Sequence, residues 1–317
     1  MFIIMDEYTN RDRVVHYYSS IYPAEKIYKW LRADDRREFK FEYDSALFNN
    51  IEKDKDRVIW GSAKTYNNAF IFKTEIGIRK PKTIHIGSSN GDPKTKELVF
   101  DIDLDEYDDA RNLCCGGEKK ACERCWNLAL ASAEIVVFMM KKLWNFEKSY
   151  CFFSGRRGLH LWYLDNKALY LNEKQRYCIS STFREKIYLK NPDHEIIQEL
   201  YQQVALPRFM SLISDHYNAP SFETDFDQRE INPKLVFDYI WVLILFFYLF
   251  VYLMLQPKLD NKVTNEIDHF LKSPFSLHFE TGIPCYYITL KEEEFNNPFK
   301  RPFSIKKNID WFFNRCQ

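Results

Sequence analysis

Across residues 96–165 three short pieces follow one another: KELVFDIDLDEYDD, CCGGEKKACERCW and SYCFFSGRRGLHLWYLD. The first is an apolar, β-prone run that ends in carboxylates. Residues two apart in a strand point to the same face. Asp101 and Asp103 therefore lie side by side, roughly 6.5–7 Å apart along the backbone, while Ile102 and Leu104 turn to the core. Two carboxylates so placed repel unless cations sit between them, and their hard oxygens suit Mg²⁺ or Mn²⁺. A pair of such ions roughly 3.5–4 Å apart can activate an attacking hydroxyl and stabilise a leaving group. A solvated strand end is the plainer alternative, because Asp105, Glu106, Asp108 and Asp109 follow at once.

Four of the eight cysteines, Cys114, Cys115, Cys122 and Cys125, fall within twelve residues. Cys122-x-x-Cys125 is half of a zinc knuckle, and Cys114 and Cys115 complete a tetrahedral four-sulfur set. A closed set leaves no open coordination position, so the zinc it implies is structural. Reduced thiols in a loop are the alternative, and two adjacent cysteines are unusual as ligands. The third piece reads as two strands around the turn Ser154-Gly155-Arg156-Arg157-Gly158. Arginines on a turn suit phosphates, which they grip in bidentate fashion. His160 shares a strand face with Trp162 and can donate to a phosphate too, whereas Leu159, Leu161 and Tyr163 take the other face. Taken alone, this piece is equally an exposed hairpin with a core-facing histidine.

In this order and spacing the three pieces resemble the catalytic small subunit of eukaryotic DNA primase, in the archaeo-eukaryotic primase superfamily. Further matches are VVHYYSSIYPAEKIYKWL at 14–31, Arg37-Glu38-Phe39, and KLDNKVTNEIDHFLKSPFSLHFETG at 258–282. The resemblance covers residues 12–165 and 256–305 and is weak between them. It implies an α+β protein: a mixed-sheet catalytic primase fold with helices over 1–165 and 256–317, a zinc knuckle at 114–125, and an α-helical subdomain inserted at 166–255. It implies that Asp101, Asp103 and Asp260 hold two catalytic Mg²⁺ or Mn²⁺ ions. By the same resemblance Ser154, Arg156, Arg157, His160, Lys272 and His278 contact the nucleotide, and Glu38 lies near the active site. The implied activity is template-directed synthesis of short RNA primers on single-stranded DNA from ribonucleoside triphosphates. The implied partners are a primase large subunit and the replicative DNA polymerase alpha complex, and the implied setting is the nucleus. Two departures concern the ribose-side and initiating-nucleotide contacts: His85 replaces an aspartate before Ile-Gly, and Trp60, in Val58-Ile59-Trp60-Gly61, stands where an arginine is usual. Two rival readings are a primase-polymerase using deoxynucleotides and a non-catalytic, zinc-stabilised nucleic-acid-binding subunit. The three acids argue against the second, since a pure binder gains nothing from carboxylates beside a phosphate backbone. The knuckle inside the catalytic block favours the replicative subunit over the first.

At 317 residues the chain has room for one large domain or one and a half. Its 45 basic residues balance its 45 acidic ones. A local basic patch would serve a template, but neutrality argues against strong stand-alone DNA binding and for recruitment by a partner. The opening MFIIMDEY is too short and too quickly acidic for a secretory signal. Cys151, Cys178, Cys285 and Cys316 form no disulfide framework, which points to a reducing compartment.

Strands are expected at 37–41, 58–60, 69–72, 83–86, 97–104 and 285–290. Helices are expected at 14–31 with a break at Pro23, at 121–142, through much of 166–238, and at 304–315. His194 and His216 are expected at the surface. Residues 239–256 are eighteen uncharged residues, long enough to be weighed as a membrane span. Seven of them are aromatic and spread along the run instead of gathering at two interfaces. Asp260 follows almost at once and has to reach the catalytic sheet. A buried helix or a partner-contact surface is therefore expected, and not a span.

Overall fold

The alternation in VFDID and GLHLWY gives each strand two usable faces, and both are covered. A computed structural model of the chain describes residues 10–44, 58–107, 111, 121–184, 195–214, 251, 255–290, 298 and 304–316. Cys114, Cys115, His194, His216 and residues 239–250 lie outside that set, so the expectations placed on them are not addressed.

The described strands are β1 (Arg37–Asp44), β2 (Val58–Trp60), β3 (Thr83–Ser89), β4 (Leu98–Asp103), β5 (Ser149–Phe153), β6 (Gly158–Tyr163), β7 (Leu271–Lys272) and β8 (Tyr286–Ile288). They form two antiparallel sheets, in the orders β2-β1-β3-β7 and β4-β6-β5-β8. The protein is thus a mixed α/β chain. In the second sheet Leu98, Phe100, Ile102, Leu159, Leu161 and Tyr163 face one core, together with Trp126, Leu130, Ala133 and Met140 of the long helix that follows residue 122. Val99, Phe152 and Trp162 face the opposite way, into a second core shared with Phe39, Phe41, Ile84 and Ile86 of the first sheet.

The helices are α1 (Asn10–Ser20), α2 (Ala24–Trp30), α3 (Ala69–Arg79), α4 (Glu123–Trp144), α5 (Asn166–Leu169), α6 (Glu173–Arg184), α7 (Glu195–Leu200), α8 (Leu206–Ser214), α9 (Asn261–Asn265) and α10 (Ile305–Arg315). The expected break at Pro23 is present, since that residue caps α2. Residues 69–72, expected as a strand, open a helix instead. The Asn68 side chain accepts from the Ile71 amide at 2.9 Å and starts α3. Phe72 and Ile76, four apart, are buried, while Phe70 and Ile78 face solvent. The apolar run AFIF masked that helical spacing.

Residues 166–169, 173–184 and 195–214 are helical, in line with the helices expected through much of 166–238, and Ile179, Phe183, Leu200 and Tyr201 join the core of the second sheet. Arg176 of α6 is buried and donates to the Lys96 carbonyl at 2.6 Å and the Glu97 carbonyl at 3.1 Å, fixing the entry to β4. At the C-terminal end α10 sets Phe312 against Trp30 at 5.5 Å and Phe152 at 5.2 Å between ring centroids. Among the described residues no helix is long and apolar enough to cross a membrane.

One ion pair ties the first sheet to β4. Arg37 and Glu97 meet with only 3% and 1% of their side chains exposed. Removing one partner of a buried pair strands the other charge, at about 3–5 kcal/mol. Glu97→Gln should lower unfolding stability by that amount in urea denaturation, and Arg37→Met combined with Glu97→Leu should recover part of it. A loss below about 1 kcal/mol for the single variant would show that the pair does not hold the sheets together.

Candidate functional site

Register decides which side chains meet. On β4 and β6, Asp101 stands opposite His160 and Asp103 opposite Gly158. The chain returns to β4's other edge after residue 255. The Lys258 amide donates to the Tyr107 hydroxyl at 2.7 Å, the Asp260 amide to the Asp101 carbonyl at 3.0 Å, and the Thr264 hydroxyl to the Val99 carbonyl at 2.9 Å. Asp260 is thereby set beside Asp101, with its carboxylate capping α9 by accepting from the Lys262 amide at 2.9 Å. Burial pushes the Asp101 carboxyl up to about 7, with Asp103 and Asp260 adding to the shift and Lys272 opposing it. His160 Nε2 lies 3.8 Å from Asp101 Oδ1, beyond hydrogen-bond reach. Burial, then Lys272, His278 and His85, hold that imidazole well below its usual range, so it is neutral. Its Nδ1 has no partner among the described residues.

The β5–β6 turn forms the second part. Ser154 and Gly158 exchange two bonds: the Ser154 amide donates to the Gly158 carbonyl at 2.8 Å, and the Gly158 amide to the Ser154 hydroxyl at 3.0 Å. Gly155 has φ +91°, and a Cβ there would sit 2.6 Å from the Ile283 carbonyl oxygen. Both arginines of the turn are already paired. Arg157 Nε donates to Asp103 at 2.9 Å and its guanidinium also meets Asp105, while Arg156 pairs with Glu280 at 2.7 Å. Lys272 reaches across from β7 and donates to the Ser154 carbonyl at 3.0 Å. His278 is pushed down to about 3 by burial and by Lys272, Arg156 and Arg157, so it too is neutral. Its Nδ1 accepts from the Glu280 amide at 3.2 Å.

The first sheet supplies the facing wall. Directly paired residues share a face, and the register links Trp60 to Glu42, Lys40 to His85, and His85 to Lys272. His85 Nε2 and Glu42 Oε2 are 3.0 Å apart. Glu38 stands at a bulge on β1, beside Gly87 and Phe270 at the other end of that strand from Glu42.

The structure therefore brings Asp101, Asp103, Asp260, Ser154, Arg156, Arg157, His160, Lys272 and His278 together at one site, and leaves Glu38 at its margin. Among the described residues no three histidine, cysteine or acidic side chains close into a ready metal shell. Asp103 is turned to Arg157, and Asp260 to the backbone of α9. The donor set still fits a hard divalent cation. Asp101 stands beside Asp103 and Asp260, and three carboxylates offer the hard oxygen ligands that such a cation takes. In the cysteine segment the Cys122 amide donates to Cys125 Sγ at 3.1 Å. The other two members of the expected zinc set lie outside the described residues.

Sequence reasoning missed Asp105, Glu280 and the Glu42–His85 pair as parts of this cleft. Asp105 was legible as the next period-two position after Asp103. Glu280 had no signal beyond its nearness to His278.

Comparison with known proteins identifies the family. A family model described as DNA primase small subunit matches residues 100–289, more than half of the chain. The DNA primase small subunit of Caenorhabditis elegans is 26% identical, with 88% of this chain and 82% of that protein covered. That of Saccharomyces cerevisiae is 26% identical, with 86% and 80% covered. The archaeal subunit of Thermococcus sibiricus is 25% identical, with 94% and 92% covered. The chain belongs to the DNA primase small subunit family.

The raised pKa of Asp101 has a consequence for stability. Asp101 binds its proton more tightly when folded, so its cost is absent below its ordinary value of 3.8 and complete above about 7. That shift corresponds to roughly 4 kcal/mol. Without divalent ions, Asp101→Asn should raise the melting temperature at pH 8 and leave it unchanged near pH 4. Equal melting of the two proteins at pH 8 in a chelator would contradict the burial of an ionised Asp101 beside two further carboxylates.

Proposed function

We propose that this chain is the catalytic subunit of a primase, a nucleotidyltransferase that makes short RNA primers on single-stranded DNA. The observation that carries the reading is the meeting of Asp101, Asp103 and Asp260 with Lys272 and the Ser154–Arg157 turn. Asp101, Asp103 and Asp260 would hold two Mg²⁺ or Mn²⁺ ions, whose charge would activate a 3′-hydroxyl and stabilise the departing pyrophosphate.

The chain's own residues bind and orient the nucleotide. Lys272, Arg156, Arg157, Ser154, His160 and His278 grip the triphosphate. The neutral imidazoles each donate one N–H, and the cations supply charge. Arg157 exchanges Asp103 and Asp105 for phosphate oxygens, one set of oxyanions for another, which frees Asp103. Holding the triphosphate in line with the attacking hydroxyl supplies the rate through positioning. Glu38 helps to shape the cleft's margin. Cys114, Cys115, Cys122 and Cys125 would hold a structural zinc, and the helices within 166–255 would form an inserted subdomain. A primase large subunit, the DNA polymerase alpha complex and a nuclear setting complete the reading.

Primer synthesis is the direct test. Purified chain with single-stranded DNA, ribonucleotides and Mn²⁺, supplemented with a large subunit, should yield short RNA. Asp101→Asn should cut that yield by about 100-fold or more. Arg157→Lys, which loses the bidentate grip, should weaken apparent nucleotide affinity more than it lowers maximal rate. Undiminished products from Asp101→Asn would contradict the proposal.

A further inference from the structure

The wall opposite the carboxylates carries a feature that the triphosphate reading does not use. Trp60, Glu42, Lys40, His85 and Lys272 form a row on one face of the first sheet, across β2, β1, β3 and β7. The Trp60 ring leans on His85, with centroids 4.8 Å apart and planes at 59°. Lys40 Nζ lies 4.8 Å from the Trp60 ring centroid and 5.6 Å from that of Phe270. His85 is in turn fixed by Glu42 at 3.0 Å. The indole is thus braced by an imidazole and a cation, and remains 48% exposed. A propped aromatic ring with an open surface is what base stacking needs.

The other end of the row fixes what can lie there. Lys272 donates to the Ser154 carbonyl at 3.0 Å, at the mouth of the Ser154–Arg157 turn that the nucleotide reading gives to the phosphates. Three strand spacings separate the strand of Trp60 from that of Lys272, roughly 14 Å. A nucleoside triphosphate laid across the sheet, with phosphates at Lys272, carries its base toward Trp60. We propose that Trp60, propped by His85 and Lys40, is the stacking surface for the nucleobase of the nucleoside triphosphate bound in the cleft. This inference rests on the nucleotide reading above and adds the base-recognising residue to it.

Calorimetric titration of the full chain in Mg²⁺ buffer, with ATP and with inorganic tripolyphosphate, separates base from phosphate. Trp60→Ala should weaken ATP binding about 5- to 100-fold, the range for base–aromatic stacking, and leave tripolyphosphate binding unchanged. Trp60→Phe should restore most of the ATP affinity. Unchanged ATP affinity in Trp60→Ala overturns the inference, as does an equal loss for both ligands. A loss confined to binding of a single-stranded oligo(dT) overturns it as well, because the ring would then serve the template. Wild-type protein that binds neither ATP nor tripolyphosphate overturns the triphosphate reading and this inference with it. Binding of both by wild type, with Trp60→Ala indistinguishable, defeats the stacking role alone.

Discussion

The antiparallel pairing of β4 with β6 is the constraint on which the cleft depends. It sets Asp101 against His160 and Asp103 against Gly158, and the same ladder turns Phe100, Leu161 and Tyr163 into the opposite core. A slip of one residue would turn the carboxylates into the apolar core and carry Phe100, Leu161 and Tyr163 to the face of the site. The apolar face therefore fixes the polar one, and α4 secures the register from behind without touching the chemistry. Gly158 matters here for closeness: a Cβ would lie 2.7 Å from the Ile102 carbonyl oxygen, inside the ladder itself.

A charge balance is built on this frame. Three acids on β4 and its edge would repel one another, and the surrounding cations answer them in the structure. Arg157 takes Asp103 and Asp105, Lys272 favours the charged form of Asp101, and Arg156 takes Glu280. Asp101 is nonetheless left with a pKa near neutrality. Burial is the first cause of that shift, and the arginines of the turn are engaged by neighbouring acids. On the proposed reading, divalent ions would supply the missing positive charge and phosphates would take the place of those acids.

Much of this was legible in the sequence, because its periods are short. The period-two pattern of VFDID gave the shared face of Asp101 and Asp103, and SGRRG between two apolar runs gave the turn. Asp260 was reachable only through the family resemblance. Nothing local in KLDNK says that its backbone will bond to Asp101. The helix at α3 was misread because AFIF suits a strand, while the deciding cap lies one residue earlier at Asn68. The partners of Arg156 and Arg157 were illegible for a different reason. A run of acids names several candidates, and only the fold selects Asp105 and Glu280. The stacked row from Trp60 to Lys272 is likewise a product of register across four strands that are far apart in the chain.

The central claim is that Asp101, Asp103 and Asp260 act as one cation site although the third is distant in sequence. Titration of Mn²⁺ into wild type and Asp260→Asn, followed by loss of the free-ion paramagnetic resonance signal, addresses this without any catalytic readout. The account predicts that Asp260→Asn weakens Mn²⁺ binding by more than about tenfold, a loss already typical when an outer-shell partner is removed. Wild-type affinity in Asp260→Asn would contradict it and confine any metal to β4.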